Sequence, residues 1–248
     1  MKKIIKRSLA LVMALVLSVT AFSFVPVSAE EDDYSPISWY PVVKNSTKTY
    51  TGKTGNQIIA NTYFERKVLL GFDKGISKIN KALKKLEKSY DPSSLHATAK
   101  EMADESNYSK EILYDCVTMD VSYCGMKYIC LVSTEYWYGG GVSNDMTSGY
   151  VYDLNTGKKK TITQVTGLSE KVIKSKIVDA IKSDEEFKDY IDEFGPQIEA
   201  MVNATKVKDI NFVVEQDGSI TVLILPYTEP LYGGWTRYYS LDGVTVAN

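Results

Sequence analysis

Residues 133–157 read STEYWYGGGVSNDMTSGYVYDLNTG, and the rest of the chain is organised around this stretch. It is predicted to begin as a strand at Ser133–Tyr138, to break at Gly139-Gly140-Gly141, and to resume as a strand at Gly149–Leu154. Glycine permits backbone angles that other residues avoid and lets other groups approach the backbone closely. Five aromatic residues flank the break: Tyr136, Trp137, Tyr138, Tyr150 and Tyr152. The stretch therefore predicts a glycine loop set in aromatic surface.

Strands on both sides of this loop form a predicted antiparallel meander. Apolar and polar residues alternate along Lys110–Cys124, which is typical of a half-buried strand. Gly125-Met126 turns the chain into a returning strand at Tyr128–Tyr138. After the glycine break, Tyr150–Leu154 and Lys160–Ile162 are predicted to pair as a hairpin around the Asn-Thr-Gly turn.

The first part of the exported chain mixes short strands with a helix. Trp39–Val43 and Thr47–Thr51 are predicted to form a small hairpin, and Gln57–Leu70 a strand. Asp73 is predicted to cap a helix in which Ile76, Ile79, Leu83 and Leu86 share one stripe. Lysines 78, 81, 84, 85 and 88 fill the rest of that helix. Such a face is usually the solvated side of a core-packed helix and less often a nucleic-acid or membrane surface.

Later segments add helices and a second group of strands. A helix starting at Ser93 or Ser94 is predicted to leave His96 exposed near its beginning, and Ser169 caps the next helix. A capping box at 183–186 opens a short helix that Gly195-Pro196 is predicted to stop, with a further helix at Ile198–Val202. Residues 211–215 and 219–225 form a predicted hairpin, and 235–241 a last strand. This order predicts an α+β fold, an antiparallel sheet of meander and hairpins with helices packed on one face.

The N-terminus has the three parts of a secretory signal peptide. A basic start precedes an apolar run from Leu9 to Val25, and Val27-Ser28-Ala29 fits a cleavage site, so we expect a secreted protein cleaved after Ala29. No later run reaches the roughly 18 apolar residues of a membrane span. The expected organisation is a signal peptide at 1–29, a strand-helix region at 30–109 and an α+β domain at 110–248 packed with it as one unit.

The net charge indicates the class of partner, and the cysteine content indicates whether disulfide bonds can form. Loss of the signal peptide removes four cations, so 25 Lys and Arg remain against 31 Asp and Glu, and the formal net charge moves from −2 to −6. An acidic domain is a poor candidate for binding nucleic acid or anionic lipid and a better one for binding a basic partner. Cys116, Cys124 and Cys130 are expected to be buried thiols, with a single Cys124–Cys130 bridge as the alternative.

The sequence shows no catalytic, metal or cofactor motif. His96 is the only histidine, so a Ser-His-Asp or Cys-His arrangement or a zinc site has one imidazole to draw on. Acid pairs such as Asp115 with Asp120, or Glu135 with Asp153, could serve a glycoside hydrolase, although acids on strand surfaces are usually solvated. We therefore expect a protein that is not an enzyme and needs no cofactor.

An ordered set of motifs resembles the RsiV-like extracytoplasmic domain, a family of unknown function found in the anti-sigma-V factor RsiV and the peptidoglycan deacetylase PdaC. The matching motifs, with a weaker one at Ile79-Asn80, are Tyr136-Trp137-Tyr138-Gly139-Gly140, Tyr152-Asp153-Leu154-Asn155-Thr156-Gly157-Lys158, Ile162-Thr163, Asn211-Phe212, Asp217-Gly218, Pro226-Tyr227 and Gly233-Gly234. The family histidine that usually follows the glycines is absent, because Val142 and Ser143 stand there. We therefore expect neither the anti-sigma role nor the deacetylase activity to carry over from the resemblance.

The resemblance implies an exported binding module of the Gram-positive cell envelope, with lysozyme as one protein partner known to the family. Tyr and Trp supply rigid contact area at interfaces, and the glycine loops at 139–145 and 227–234 are predicted to meet at one end of the sheet. A glycan-binding accessory protein is the main alternative, and a carboxylate-dependent wall hydrolase is a third. The candidate ligand-binding residues are Tyr136, Trp137, Tyr138, Gly139, Gly140, Gly141, Asn144, Asp145, Tyr227, Tyr232 and Trp235.

Overall fold

Two β-sheets form the framework of the protein. A computed structural model describes residues 37–105, 108, 110–186, 191–231 and 233–247, so the predicted signal peptide and Tyr232 lie outside the described residues. The larger sheet contains β1 (Ser38–Thr51), β2 (Gln57–Leu70), β3 (Lys110–Cys124), β4 (Tyr128–Tyr138) and β5 (Ser143–Asp153), side by side in that order. The smaller sheet contains β6 (Asn211–Val214), β7 (Ser219–Ile224) and β8 (Arg237–Thr245).

One strand pair makes the large sheet mixed. Strands β2 and β3 run parallel, with Gln57 opposite Lys110, while every other neighbouring pair is antiparallel. Parallel strands need a crossover connection, and here it contains α1 (Ile76–Ser89) and α2 (Ser93–Asp104). The α+β class and the meander of β3, β4 and β5 are confirmed, and the sheet joins the two segments that the sequence divided at residue 109.

Among the described residues, three α-helices lie in the second half of the chain. They are α3 (Ile162–Thr166), α4 (Glu170–Lys182) and α5 (Ile191–Ala204). The Ser169 cap is confirmed, because its hydroxyl accepts from the N–H of Val172. Helix α5 continues through Pro196, so the predicted stop at Gly195-Pro196 is wrong. Phe194 before the proline and Ile198 and Val202 after it pack in one core, and that packing holds both sides of the proline in one helix.

Three further local predictions differ from the structure. The predicted small hairpin is one 14-residue strand, β1, because it pairs along its whole length with β2. The predicted strand at Lys160–Ile162 shrinks to a single bridge between Tyr152 and Lys159, because a capping box at Thr161 starts α3. Helix α1 begins after Gly75 rather than Asp73, since Gly75 docks against the Leu154 carbonyl through its own N–H at 2.9 Å.

The helices divide between the two faces of the large sheet. Ile129 and Leu131 of β4 join one core with Ile79 and Leu83 of α1. The alternate β4 residues, including Cys130, join a second core with α3, α4, α5 and the small sheet. Successive side chains of a strand point to opposite faces, so the sheet is a middle layer between two cores rather than having helices on one face.

The small sheet is fastened to the large one by side chains that bond to backbone. The Asn211 amide accepts from the Gly149 N–H and donates to the Thr147 carbonyl, both at 2.9 Å. Ser122 donates to the Val214 carbonyl at 2.8 Å. An added Cβ at Gly149 would lie 1.8 Å from the Phe212 carbonyl oxygen, so only glycine fits between the two strands.

The structure also bears on the predicted disulfide and on the predicted absence of a later membrane span. Cys116, Cys124 and Cys130 carry thiols in the structure, so they form no disulfide. Cys130 is buried as predicted, whereas Cys116 and Cys124 are only half-buried. Burial raises the pKa of the Cys116 and Cys130 thiols. Within the described part of the chain, no helix is both long enough and apolar enough to cross a membrane.

Candidate functional site

A four-residue glycine loop connects β4 to β5. The Gly139 N–H donates to the Val142 carbonyl at 2.9 Å, which closes the loop. Gly140 and Gly141 have φ angles of +79° and +99°, a region that side chains disfavour. The three glycines therefore allow the hairpin to reverse at the place where the sequence predicted a break.

Two of the predicted aromatic residues support this loop from inside. The Trp137 ring lies against Gly139 so closely that an added Cβ would be 2.1 Å from it, and Trp137 packs on the core formed with α2. Tyr138 donates from its hydroxyl to Glu111 at 3.0 Å and contacts the Tyr114 ring. Trp137 and Tyr138 are therefore mainly structural, while Tyr136 is exposed.

A second loop, residues 225–236, lies against the predicted loop 139–145, whose last three residues form the start of β5. The N–H of Asp145 donates to the Gly234 carbonyl at 3.1 Å, and the N–H of Thr147 donates to the Thr236 hydroxyl at 2.8 Å. Within the second loop, the N–H of Tyr227 donates to the Gly233 carbonyl at 2.8 Å. The structure thus brings together the two loops that the sequence predicted to meet.

Four exposed rings surround the line where these loops touch. Tyr136 is 44% exposed, Tyr227 59%, and Trp235 and Tyr238 55% each. We call these four residues the exposed aromatic surface. Tyr136 lies opposite Asp145 in the strand register, and the hydroxyls of Tyr238 and Thr147 are 2.7 Å apart. The surface therefore draws rings from β4, from the second loop and from β8.

One residue of this surface, Tyr227, has an unusual backbone angle, and another, Trp235, lies beside an ion pair. Tyr227 has a φ angle of +58°, an uncommon conformation for a bulky residue. The Arg237 guanidinium lies 5.9 Å from the Trp235 ring centre and bonds to both carboxylate oxygens of Glu186. This ion pair lowers the pKa of Glu186 and fixes the cation beside the tryptophan.

The remaining predicted residues have minor roles at this place. Asn144 and Asp145 are half-buried on β5, opposite Trp137 and Tyr136. Across the described ranges, no group of three or more His, Cys, Asp or Glu side chains is placed to hold a metal ion. Tyr238 was not among the predicted residues. Its alternation with the buried Tyr239 on β8 is the signal that could have identified it.

The aspartate motif at 153–157 has a structural explanation. The Asp153 carboxylate accepts from the Thr156 N–H at 2.8 Å and from the Thr156 hydroxyl at 2.9 Å, and it pairs with Lys160 at 3.2 Å. Burial alone would raise the pKa of Asp153, but these bonds lower it. Gly157 approaches Gly75 so closely that an added Cβ would be 2.6 Å from the Gly75 carbonyl oxygen. The motif therefore builds the turn on which α1 begins.

A polar cluster that the sequence did not reveal lies under the junction of α1 and α2. Asp115 is 5% exposed, and its Oδ1 atom has no hydrogen-bond partner. Asp115 opposes Trp137 and Glu135 opposes Val117, so the two acids are diagonal neighbours on one face of the sheet. Burial raises the pKa of both carboxyls, and Asp115 adds to the effect on Glu135.

The structure contradicts the acid pairs and the exposed histidine that the sequence predicted. Asp115 and Asp120 alternate to opposite faces of β3, so they do not form a pair. Glu135 lies opposite Met146 on β5, and Asp153 at the far end of that strand. His96 is half-buried rather than exposed, its Nδ1 atom lacks a partner, and burial followed by Lys48 lowers the pKa of the imidazole.

A half-open cavity of about 150 Å³ lies between α4, α5 and the small sheet. Its lining is mainly apolar, with Ile177, Met201, Val222 and Leu223 among the residues. Leu225 and Thr228 border it from the second loop. The cavity therefore adjoins the loop that carries Tyr227 and could receive a small apolar group.

Comparisons with known proteins show a shared fold. No protein-family model and no curated protein matches the chain. A solved structure of a DUF3298 family member from Bacteroides fragilis NCTC 9343 aligns with a TM-score of 0.54 at 11% identity, over 87% of this chain and 96% of that one. A DUF3298 family protein from Pseudomonas aeruginosa PAO1 aligns with a TM-score of 0.47 at 11% identity, over 86% and 95% of the two chains. DUF3298 is a domain of unknown function, and identity this low supports likeness of fold alone.

Proposed function

We propose that this chain is an exported, non-catalytic binding module of the Gram-positive cell envelope and that its exposed aromatic surface recognises a protein partner. The observation that carries the proposal is the hydrogen bond between Asp145 and Gly234, because it joins two loops that are distant in sequence. Four exposed rings are thereby held on a fixed backbone. Exposed apolar groups gathered in one place commonly mark interaction sites.

The chemistry of the surface suits a protein interface. Tyr and Trp provide large contact areas with few rotatable bonds, so they lose little entropy on binding. The strained backbone at Tyr227 supports the same conclusion, since such conformations concentrate at ligand-contacting positions. The net charge of −6 expected for the exported chain favours a basic partner.

Lysozyme is the first candidate partner. The resemblance to the RsiV-like family suggests it, lysozyme is a basic protein, and the fold shared with the Bacteroides fragilis structure is compatible with a module of this kind. Peptidoglycan is the second candidate ligand, because exposed Trp and Tyr rings also stack on sugars.

Calorimetry tests the first candidate. The chain from Glu30 onward is titrated with an animal-type lysozyme at about 50 mM and about 300 mM salt, either side of the physiological range. We expect micromolar or tighter binding that weakens at the higher salt concentration. No heat at either concentration, combined with sedimentation of the chain by purified peptidoglycan, would indicate that the exposed aromatic surface recognises glycan rather than a protein. Absence of both interactions would contradict the proposed binding of envelope ligands.

A further inference from the structure

A basic surface on α1 is separate from the exposed aromatic surface. Six lysines are exposed on and just before this helix: Lys74, Lys78, Lys81, Lys84, Lys85 and Lys88. Five of them follow spacings of three or four residues, so they form one stripe along the solvent side. We call these six residues the lysine stripe. It faces away from Ile76, Ile79 and Leu83, which are buried in the core.

Few acidic residues offset the positive charge of the lysine stripe. Glu87 is the only acid within α1, and it is occupied by ion pairs with Lys44 and Arg66. These bonds lower the pKa of Glu87, and its negative charge is balanced by Lys44 and Arg66 rather than by the lysines of the stripe. None of the six lysines pairs with a carboxylate among the residues that the structure describes. An otherwise acidic protein thus presents one strongly cationic face.

Exposed apolar residues adjoin one end of the stripe. Phe72, two residues before Lys74, is 98% exposed, and Leu70 is exposed as well. Ser38 lies opposite Leu70 in the strand register, which places the exposed Trp39 and Tyr40 of β1 nearby. A fully exposed phenylalanine is costly in water and finds a favourable environment where a hydrocarbon layer begins.

The chain also enters the structure at this end. Ile37, the first residue that the structure describes, is buried in the same core as Ile76 and Ile79, and residues 1–36 lie upstream of it in the sequence. That upstream stretch contains the apolar run from Leu9 to Val25.

We propose that the lysine stripe together with Phe72 binds the surface of an anionic lipid bilayer. Lysines near such a surface are attracted to the headgroups, each strengthening partition by about five-fold. Phe72 enters the boundary between headgroups and acyl chains, as aromatic residues do in interfacial proteins. The apolar component selects a bilayer over a soluble polyanion, because a polyanion requires charge alone.

Vesicle sedimentation tests this proposal. Residues 35–248 form one compact unit, so that form of the chain is mixed with vesicles of phosphatidylglycerol and phosphatidylcholine, or of phosphatidylcholine alone. We expect binding to the anionic vesicles only. The chain from Glu30 onward is measured in parallel, and we expect it to bind no more tightly, because residues 30–33 are all acidic.

Matched variants separate the contributions. Lys81→Gln, Lys84→Gln and Lys85→Gln together should weaken partition by about 100-fold, from the combined contribution of three lysines. The control set Lys53→Gln, Lys100→Gln and Lys171→Gln makes the same charge change at exposed positions elsewhere and should have little effect. Phe72→Ser should weaken binding, whereas Met126→Ser, at a position 95% exposed in the turn after β3, should not.

Three results would overturn the proposal. Absence of binding to anionic vesicles would do so, as would equal losses from the α1 lysine set and its control set. Equally tight binding of a soluble polyglycerol phosphate, with no effect of Phe72→Ser, would reassign the stripe to an anionic polymer. Replacing Trp235 and Tyr238 should leave vesicle binding unchanged, so this experiment is independent of the proposed protein partner.

Discussion

The backbone N–H of Asp145 and the carbonyl oxygen of Gly234 lie 3.1 Å apart and join the two loops of the candidate site. Because both groups belong to the main chain, side-chain substitutions on either loop leave the bond in place. The Thr147–Thr236 hydrogen bond and the two hydrogen bonds between the Asn211 amide and the backbone of Thr147 and Gly149 hold β5 further along the same edge. The exposed rings can therefore be removed one at a time with little change in the backbone that carries them.

The two tryptophans of the site should respond in opposite ways to truncation. Trp137 covers Gly139 and packs on the core beside α2, so Trp137→Ala should lower the free energy of unfolding by about 3 kcal/mol. Trp235 is 55% exposed, and Trp235→Ala should change it by about 0.5 kcal/mol or less. Urea unfolding of both variants measures the difference. Equal losses would show that the two rings are packed alike.

Two glycines near the sheet junction provide a second contrast. An added Cβ at Gly149 would lie 1.8 Å from the Phe212 carbonyl, so Gly149→Ala must push the two sheets apart and should cost about 3 kcal/mol. At Gly234 the nearest atoms would be 3.4 Å away, an ordinary contact, and Gly234→Ala should be tolerated. Thermal unfolding separates the two variants. A Gly149→Ala protein as stable as the wild type would argue against the close approach of β5 and β6.

Asp115 should make stability depend on pH. Its folded-state pKa is raised by burial, so its stabilising contribution is complete below the unfolded-state value, about 3.9, and is lost as pH rises through the folded-state value. Asp115→Asn removes this loss, and its stability relative to the wild type should increase from pH 4 to pH 7. The comparison is made as a difference because the pKa values of Glu135 and His96, which lie nearby, are shifted as well.

Asp120→Asn is the matched control for that measurement. Its carboxyl is exposed on the opposite face of β3, where it lies 3.3 Å from Lys67. We expect the relative stability of this variant to change less with pH than that of Asp115→Asn. A flat difference curve for Asp115→Asn would mean that its carboxyl is solvated in the folded protein.

Replacing Tyr227 should raise the stability of the protein but weaken its binding. Its φ angle of +58° is tolerated better by asparagine than by tyrosine, so Tyr227→Asn should stabilise the protein by about 1 kcal/mol. The same change removes an exposed ring and should weaken binding. Tyr238→Asn removes a ring without relieving the backbone and should weaken binding with no gain in stability. Unfolding and binding are measured on the same preparations.

Local patterns in the sequence were sufficient to predict much of the large sheet. Alternation predicted β3 over Lys110–Cys124, the three glycines located the β4–β5 loop, and the Ser169 cap was found. These features depend on residues close together in the chain. The meeting of the two glycine loops was also predicted, although it rests on a long-range contact.

Other features depend on pairings that local patterns do not encode. The parallel β2–β3 contact, the full length of β1 and the second core all arise from partners distant in sequence. The inward packing of Trp137 was missed because an aromatic strand residue fits a core or a surface equally well. The Asp115–Glu135 cluster was missed because strand register, rather than spacing along the chain, makes those residues neighbours.

The most direct test of the central claim is calorimetry of three proteins against lysozyme. They are the wild type, the Trp235→Ala and Tyr238→Ala double variant, and the Trp39→Ala and Tyr40→Ala double variant. The last pair removes exposed rings from β1 and serves as the control. We predict that the wild type and the control bind alike, and that loss of Trp235 and Tyr238 weakens binding by about 100-fold or more, as expected for interface anchors. Equal affinity of all three proteins, or no binding by the wild type, would contradict the account.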